Sequence, residues 1–180
     1  MKKQHKISFD EDSELIKDIL KFKKSGRVLD LGCGKGGNSL YLAEKGFDVT
    51  CADISKTAIK RIKEVARVNE IKINAKIADL ESFRIKKDYD IIICTGVFQF
   101  LSYQKGINLI AKMKKMTKRK GINVIISFTD KDKTFNKNRL YFKSKQLKEL
   151  YSDWKIKSYI EFKEKDEFMM HSLAKIVAIK

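Results

Sequence analysis

Not one proline occurs in this chain of 180 residues. That excludes chemistries built on a proline-bearing loop, namely the Asn/Asp-Pro-Pro-aromatic motif used on exocyclic base amines and the Pro-Cys nucleophile used on cytosine carbon. Cysteine is scarce too. Cys33, Cys51 and Cys94 show no metal-ligand spacing, and each falls at or near an expected strand end. They read as buried free thiols of a reducing, cytoplasmic protein, with no metal site and no disulfide framework. No apolar run approaches the ~18 residues of a membrane span. The basic start, Met1 to Lys6, leads into a charged helical pattern instead of an apolar signal-peptide core. Neither a linker nor an internal repeat divides the chain, and 43% apolar residues suffice for one sizeable core, so residues 1–180 are expected to form one domain.

Arginine is the other shortage. The formal net charge is +17, yet only six of the 40 basic residues are arginine, and the lysines run from end to end. Such a balance reads as compositional drift more than as a phosphate footprint. Nucleic acid stays open as a partner but is not favoured, and no membrane partner is expected.

What is present centres on Arg27-Val28-Leu29-Asp30-Leu31-Gly32-Cys33-Gly34-Lys35-Gly36-Gly37. An apolar strand runs into a glycine-rich turn, and a helix opens at about Asn38. Glycine serves where φ is positive and where backbone must approach a ligand closely. Strand, turn and helix N-terminus together make a nucleotide-binding corner. Gly32, Gly34 and Gly37 satisfy G-x-G-x-x-G, and Asp53 follows about 20 residues on, as a dinucleotide fold requires. Asp30 argues otherwise. A carboxylate at that strand end would repel a pyrophosphate, whereas S-adenosylmethionine carries no phosphate and presents a sulfonium and an ammonium.

Two further acids follow the same logic. Asp53, with Ile54 after it, ends a second strand (Phe47 to Asp53) and can accept from a ribose diol. Asp79 ends a third (Ile71 to Ala78), where it can accept the adenine amino group while the Leu80 N–H donates to the ring. All three acids fall at strand carboxyl ends, where α/β proteins bind ligands. Tyr89 to Cys94 is an unbroken apolar run, as a central parallel strand should be.

The remaining elements complete the pattern. A helix is expected over Asp10–Lys24, capped by Ser8 or Asp10, and others over Asn38–Lys45, from Ser55, over Gln104–Arg119, and from Ser144 to Tyr151. Ile122–Phe128 is a fifth strand, and Trp154–Phe162 with Leu173–Ile179 an antiparallel pair at the edge. Residues 129–142 lack periodicity and are expected to be a lid. The fold class is therefore α/β: a Rossmann-like, doubly wound, seven-stranded sheet, mostly parallel with an antiparallel edge hairpin and helices on both faces.

Leu29-Asp30-Leu31-Gly32-Cys33-Gly34 resembles the first motif of class I S-adenosylmethionine-dependent methyltransferases. The run on to Asn38-Ser39, Gly46-Phe47-Asp48-Val49, Tyr89-Asp90-Ile91-Ile92 and the terminal Ala174-Lys175-Ile176-Val177-Ala178 resembles the tellurite-resistance (TehB-like) methyltransferases. The resemblance implies S-adenosylmethionine as cofactor, S-adenosylhomocysteine as product, and residues 1–25 as a helical extension closing over the pocket. It implies cofactor contacts from Asp30, Gly32, Cys33, Gly34, Gly37 and Asn38, then from Asp53, Ile54, Asp79, Leu80, Thr95 and Val97. Phe98 and His171 would border the acceptor as the catalytic pair, and no metal is implied.

Two departures stand out. Gly37 replaces an arginine common in relatives, and the segment from Ile160 to Met170 lacks their Arg/His-rich hairpin. With no strong base in the relevant loops, the acceptor is expected to be small and soft, a tellurite or selenite oxyanion or a thiol. RNA methylation through the basic surface and non-catalytic cofactor binding are the alternatives, and the sequence leaves monomer and homodimer open.

Overall fold

Val28, Leu29 and Leu31 are fully buried, and so are Ile91, Ile92, Ile93 and Cys94. The two apolar runs lie side by side at the centre of one sheet, covered on both faces. The computed structural model describes residues 13–180. Strand β1 (Arg27–Leu31) pairs in parallel with β2 (Asp48–Asp53) and β4 (Tyr89–Thr95), and β3 (Ile73–Ile77) lies beyond β2. On the other flank β5 (Thr117–Phe128) runs parallel to β4. Next come β7 (Met170–Ile179), antiparallel to β5, and β6 (Lys155–Lys165) at the edge. The order β3-β2-β1-β4-β5-β7-β6 is the expected seven-stranded sheet with its antiparallel hairpin.

Alternate strand residues point to opposite faces, and each face has its own core. Val28, Ile91, Ile93 and Val124 pack with α1 (Glu14–Phe22), α2 (Gly37–Glu44) and α3 (Lys56–Val68). Leu29, Leu31, Ile92 and Ile125 pack with α4 (Tyr103–Lys115) and the single turn α5 (Gln146–Glu149). Helix α1 buries Leu15, Ile16 and Ile19, and its Asp18 pairs with Lys175 of β7 at 2.7 Å, both side chains nearly inaccessible. The proposed caps Ser8 and Asp10, and the basic start, lie outside the described residues. No helix among the described residues is long and apolar enough to cross a membrane.

Three sequence expectations need correction. The helix expected to run to Arg119 stops at Lys115, and Lys118, Arg119 and Lys120 belong to β5. There Thr117 donates its hydroxyl to the Met113 carbonyl at 2.7 Å, and Lys118 pairs with Asp90 at the start of β4. The helix expected from Ser144 to Tyr151 shrinks to α5, because Lys145 adopts φ +62° and Ser144 donates to Glu161 instead of capping. The lid expected over 129–142 is a stitched loop. Thr129 bridges to Phe142, the Leu140 N–H donates to the Leu101 carbonyl, and the Arg139 guanidinium to the Phe100 carbonyl. Leu140 and Phe142 are core residues presented by irregular backbone, which is why no period betrayed them.

Candidate functional site

The strand β1 ends at Leu31 and the chain turns through Gly32 and Gly34, both at positive φ, +73° and +50°. A Cβ on Gly32 would stand 2.2 Å from Val97 Cγ2, so two loops touch there as no other residue allows. At Gly34 a Cβ would meet open space, and only the backbone conformation calls for glycine. The N–H groups of Gly32 and Cys33 donate to the Ala52 carbonyl, which fixes the turn to β2.

The three acids occupy three different environments. Asp30 is 1% exposed, and its Oδ2 accepts from the Ser39 hydroxyl at 2.6 Å. Its Oδ1 is buried with no hydrogen-bond partner among the described residues. Burial pushes its carboxyl up to about 6, against the Ser39 hydrogen bond and with help from the Asp53 charge. Asp53 accepts the N–H of Gly34 and that of Ser55, each at 2.8 Å, one on each oxygen. Asp79 accepts from the Glu81 N–H at 2.9 Å through one oxygen. Every carboxylate oxygen carries two acceptor sites, so Asp53 and Asp79 retain capacity for a ligand.

Around these tips run two clefts. The first, about 340 Å³, is lined by the expected Gly32, Asp53, Ile54, Asp79, Leu80 and Val97. The second, about 510 Å³, is lined by the expected Asn38, Thr95 and His171. Gly96 borders both, so they are two ends of one groove across the carboxyl ends of the strands. The sequence reading missed Glu81 and Phe100 in the first cleft and Phe128, Glu164 and Asp166 in the second. Phe100 stands 69% exposed beside the groove, and its only sequence signal was its place in the loop after β4. Ser13 and Leu15 bring the start of α1 to the second cleft.

Five expected residues, Asp30, Cys33, Gly34, Gly37 and Phe98, line neither cleft. The Cys33 side chain packs against the α1–α3 core, and its contact with Cys51, burial and the nearby carboxylates push the thiol far above the usual range. Phe98 requires the plainer correction. It is fully buried, edge-on to Phe142 at 5.4 Å between ring centres, so it supports the loop from below and faces neither cleft.

His171 does reach the second cleft, but both its nitrogens are engaged. Nδ1 lies 3.1 Å from Asp132 Oδ2 and Nε2 lies 3.0 Å from Asp166 Oδ2. Only the doubly protonated ring donates from both. The Asp166 hydrogen bond first, then Asp132, raise its pKa above the ordinary value against burial. Phe128 stacks on the ring at 4.7 Å. The ring is held between two carboxylates and one aromatic face.

This donor set fits a ligand made of a base, a ribose diol and a cationic tail. Two strand-tip carboxylates and the apolar Ile54, Leu80 and Val97 border the first cleft, and two residues before Gly32 the buried Asp30 keeps an oxygen with no partner among the described residues.

Sheet order, glycine turn and acids at three neighbouring strand tips define the Rossmann-like fold of class I methyltransferases. Within it, the chain belongs to the family described as tellurite resistance protein TehB, which matches residues 3–168. A TehB of Haemophilus influenzae named a probable S-adenosyl-L-methionine-dependent methyltransferase is 34% identical over 151 residues, covering 81% of this chain and 52% of the relative. The crystal structure of TehB from Haemophilus influenzae superposes with a TM-score of 0.84 at 31% identity, over 92% of this chain and 61% of that one. Coclaurine N-methyltransferase, at 14% identity and a TM-score of 0.73, covering 92% of this chain and 71% of its own, shares the fold. The chain spans about half the length of the curated TehB relatives it matches.

Proposed function

We propose that this chain is an S-adenosylmethionine-dependent methyltransferase acting on a small-molecule acceptor. The observation that carries the reading is the groove itself, with Asp53 and Asp79 at one end and Thr95 and His171 at the other. Bound S-adenosylmethionine supplies a methyl group on a positively charged sulfur, open to in-line displacement. The chain's residues then position and shield.

Asp53 accepts from the ribose diol, already oriented by the Gly34 and Ser55 N–H groups. Asp79 and the Leu80 N–H take the adenine edge, with Ile54 and Phe100 against its faces. Asp30 and the Gly32 backbone hold the methionine end, where a cation satisfies the buried oxygen. Asn38 and Thr95 border the reacting centre, and helix α1, staked by Asp18 to Lys175, covers the second cleft. Excluding water and aligning the acceptor near 3 Å from the methyl supplies much of the acceleration.

The family name brings tellurite forward as acceptor, and a thiol is the companion choice; both are soft nucleophiles that need little help from a base. RNA is a weaker reading. The lysines around Lys112, Lys115 and Lys118 gather where α4 ends and β5 begins, at the amino ends of the parallel strands and away from the groove. The three unpaired cysteines agree with a cytoplasmic setting.

Calorimetric titration with S-adenosylmethionine, S-adenosylhomocysteine and NAD tests the reading. Micromolar binding of both adenosyl compounds and none of NAD is expected. Binding of NAD alone would overturn it.

A further inference from the structure

We infer that Asp132 is the positioning residue that presents Nε2 of His171 to the methyl acceptor, and that Asp166 keeps the place on that nitrogen which the acceptor takes. This rests on the methyl-transfer reading above and deepens it at the acceptor end.

The two carboxylates that hold the ring differ in burial and in what else they hold. The Asp132 side chain is inaccessible to solvent and lines neither cleft. Its Oδ1 accepts the N–H and the hydroxyl of Thr134 at 2.9 and 2.6 Å. Its Oδ2 accepts the Ser172 N–H at 2.7 Å and faces Nδ1 of His171 at 3.1 Å. These contacts fill the acceptor sites of a carboxylate, so Asp132 has nothing left for a ligand. Asp166 stands on the turn between β6 and β7 with 48% of its side chain exposed, and it lines the second cleft. Its Oδ1 takes the N–H groups of Phe168 and Met169, each at 2.7 Å, while its Oδ2 faces Nε2 of His171 alone. An ion pair in water is weak, because solvent competes for both partners. A buried pair does not exchange, because letting go leaves a charge with no water to take it. The Nδ1 contact is therefore permanent and the Nε2 contact replaceable.

The rest of the setting fixes the ring in the same sense. Phe128 of β5 stacks on it at 4.7 Å between ring centres, and Tyr141 stacks on Phe128 at 6.3 Å. The Tyr141 hydroxyl donates to the Thr134 carbonyl at 2.8 Å, so the loop that supplies Asp132 also braces the aromatic stack. Among the described residues, the charged groups around the ring are Asp132 from this loop, Asp166 from the turn, and Glu164, its cross-strand partner on β6, with Lys165 beside them on the cleft wall.

A carboxylate behind one imidazole nitrogen fixes which nitrogen faces forward. Here the forward nitrogen is Nε2, and the cleft it serves is bordered by Thr95 and Asn38. In the cationic ring that nitrogen carries a hydrogen. An oxyanion or a thiolate can accept it in place of Asp166, and each brings a negative charge as Asp166 does, so the exchange keeps the ring's charge balanced. The proton stays on the ring. What His171 supplies is a hydrogen bond that aims the acceptor's lone pair at the methyl group.

Nitrogen NMR on the purified chain tests the geometry. There are two histidines, His5 and His171, and His171→Gln assigns their signals. With S-adenosylhomocysteine bound, selenite or 2-mercaptoethanol is expected to shift Nε2 of His171 and leave Nδ1 nearly in place. Kinetics with S-adenosylmethionine and the same acceptors follow across about pH 5.5 to 8.5. Asp166→Asn should lower the acceptor KM roughly two- to fivefold, since the competing charge has gone. Asp132→Asn should cut kcat/KM at least about tenfold and move the alkaline limb of the pH profile down, with cofactor affinity by calorimetry unchanged. Thr134→Ala removes one bond to Asp132 and keeps the carboxylate; it should give the same change in smaller measure, and it serves where Asp132→Asn fails to fold. Normal cofactor binding with no Nε2 shift from either acceptor, with the shift at Nδ1 instead, or with Asp132→Asn kinetically like the parent would overturn the inference and leave the methyl-transfer reading standing. Absence of cofactor binding would remove both.

Discussion

The backbone N–H of Gly34 donates to Oδ2 of Asp53 at 2.8 Å, so the glycine turn after β1 and the tip of β2 are one unit before any ligand arrives. Asp53→Ala removes this bond together with that from Ser55 and takes away the proposed ribose acceptor. Affinity for S-adenosylmethionine is expected to fall on the order of 10- to 100-fold, the worth of hydrogen bonds to a charged group. Calorimetry on the variant checks it, and an unchanged dissociation constant would end the ribose assignment.

Gly32→Ala tests the close approach of the two loops. The new methyl would meet Val97 Cγ2 at 2.2 Å on a backbone at φ +73°. A loss of about 1–3 kcal/mol is expected from strain and overpacking. Combining it with Val97→Ala should recover part of that loss in denaturant melts, because the clash goes while the strained φ stays.

Phe98 and Phe100 sit two apart in sequence and part company in the fold. Phe98→Ala is expected to cost roughly 3–5 kcal/mol, as a buried aromatic does, with cofactor affinity retained wherever the protein remains folded. Phe100→Ala, at a 69% exposed position on the groove, should leave the melting temperature nearly alone and weaken cofactor binding. Paired thermal melts and titrations read both. The opposite pattern would restore Phe98 to the site.

Much of this was legible beforehand. Asp30, Asp53 and Asp79 each follow an apolar run at the point where a strand must end, and the glycine turn fixed which ends lie together. The clamp on His171 was not legible, because Asp132 lies 39 residues away on a loop with no period. Nor was the choice between Phe98 and Phe100. In a single helical turn both are apolar, and only the packing of Phe142, brought in from the far side of β5, decides which one is covered. Lys118 to Lys120 looked like the tail of a basic helix because lysine favours helices and nothing local announces the start of β5.

The ligand-free protein should lose stability as pH rises from about 4 to 6, and again as it rises above 6.5. The folded-state pKa of Asp30 is raised from 3.8 to about 6, so its stabilising contribution is complete below 3.8 and lost as pH climbs through 6. The span is on the order of 3 kcal/mol. His171 is raised from 6.5, so its contribution is complete below 6.5 and lost above, through its folded value. Asp166, lowered to about 2, acts oppositely but only below its ordinary 3.8. Melting temperatures across this range should fall; Asp30→Asn should flatten the lower part of the curve and His171→Gln the upper. A flat profile in the parent chain would contradict the burial account of Asp30.

Strand β7 lies between β5 and β6, so β6 pairs with nothing else in the sheet. During synthesis the first five strands can assemble while β6 has been made yet has no neighbour to join, and it must wait for the ten residues of β7 to leave the ribosome. His171, Leu173 and Lys175 come out on that same strand, so this wall of the second cleft and the stake holding α1 form only after the first six strands have been made. A nascent chain halted after β5 would carry the first cleft complete while the second still lacked the wall that β6 and β7 provide.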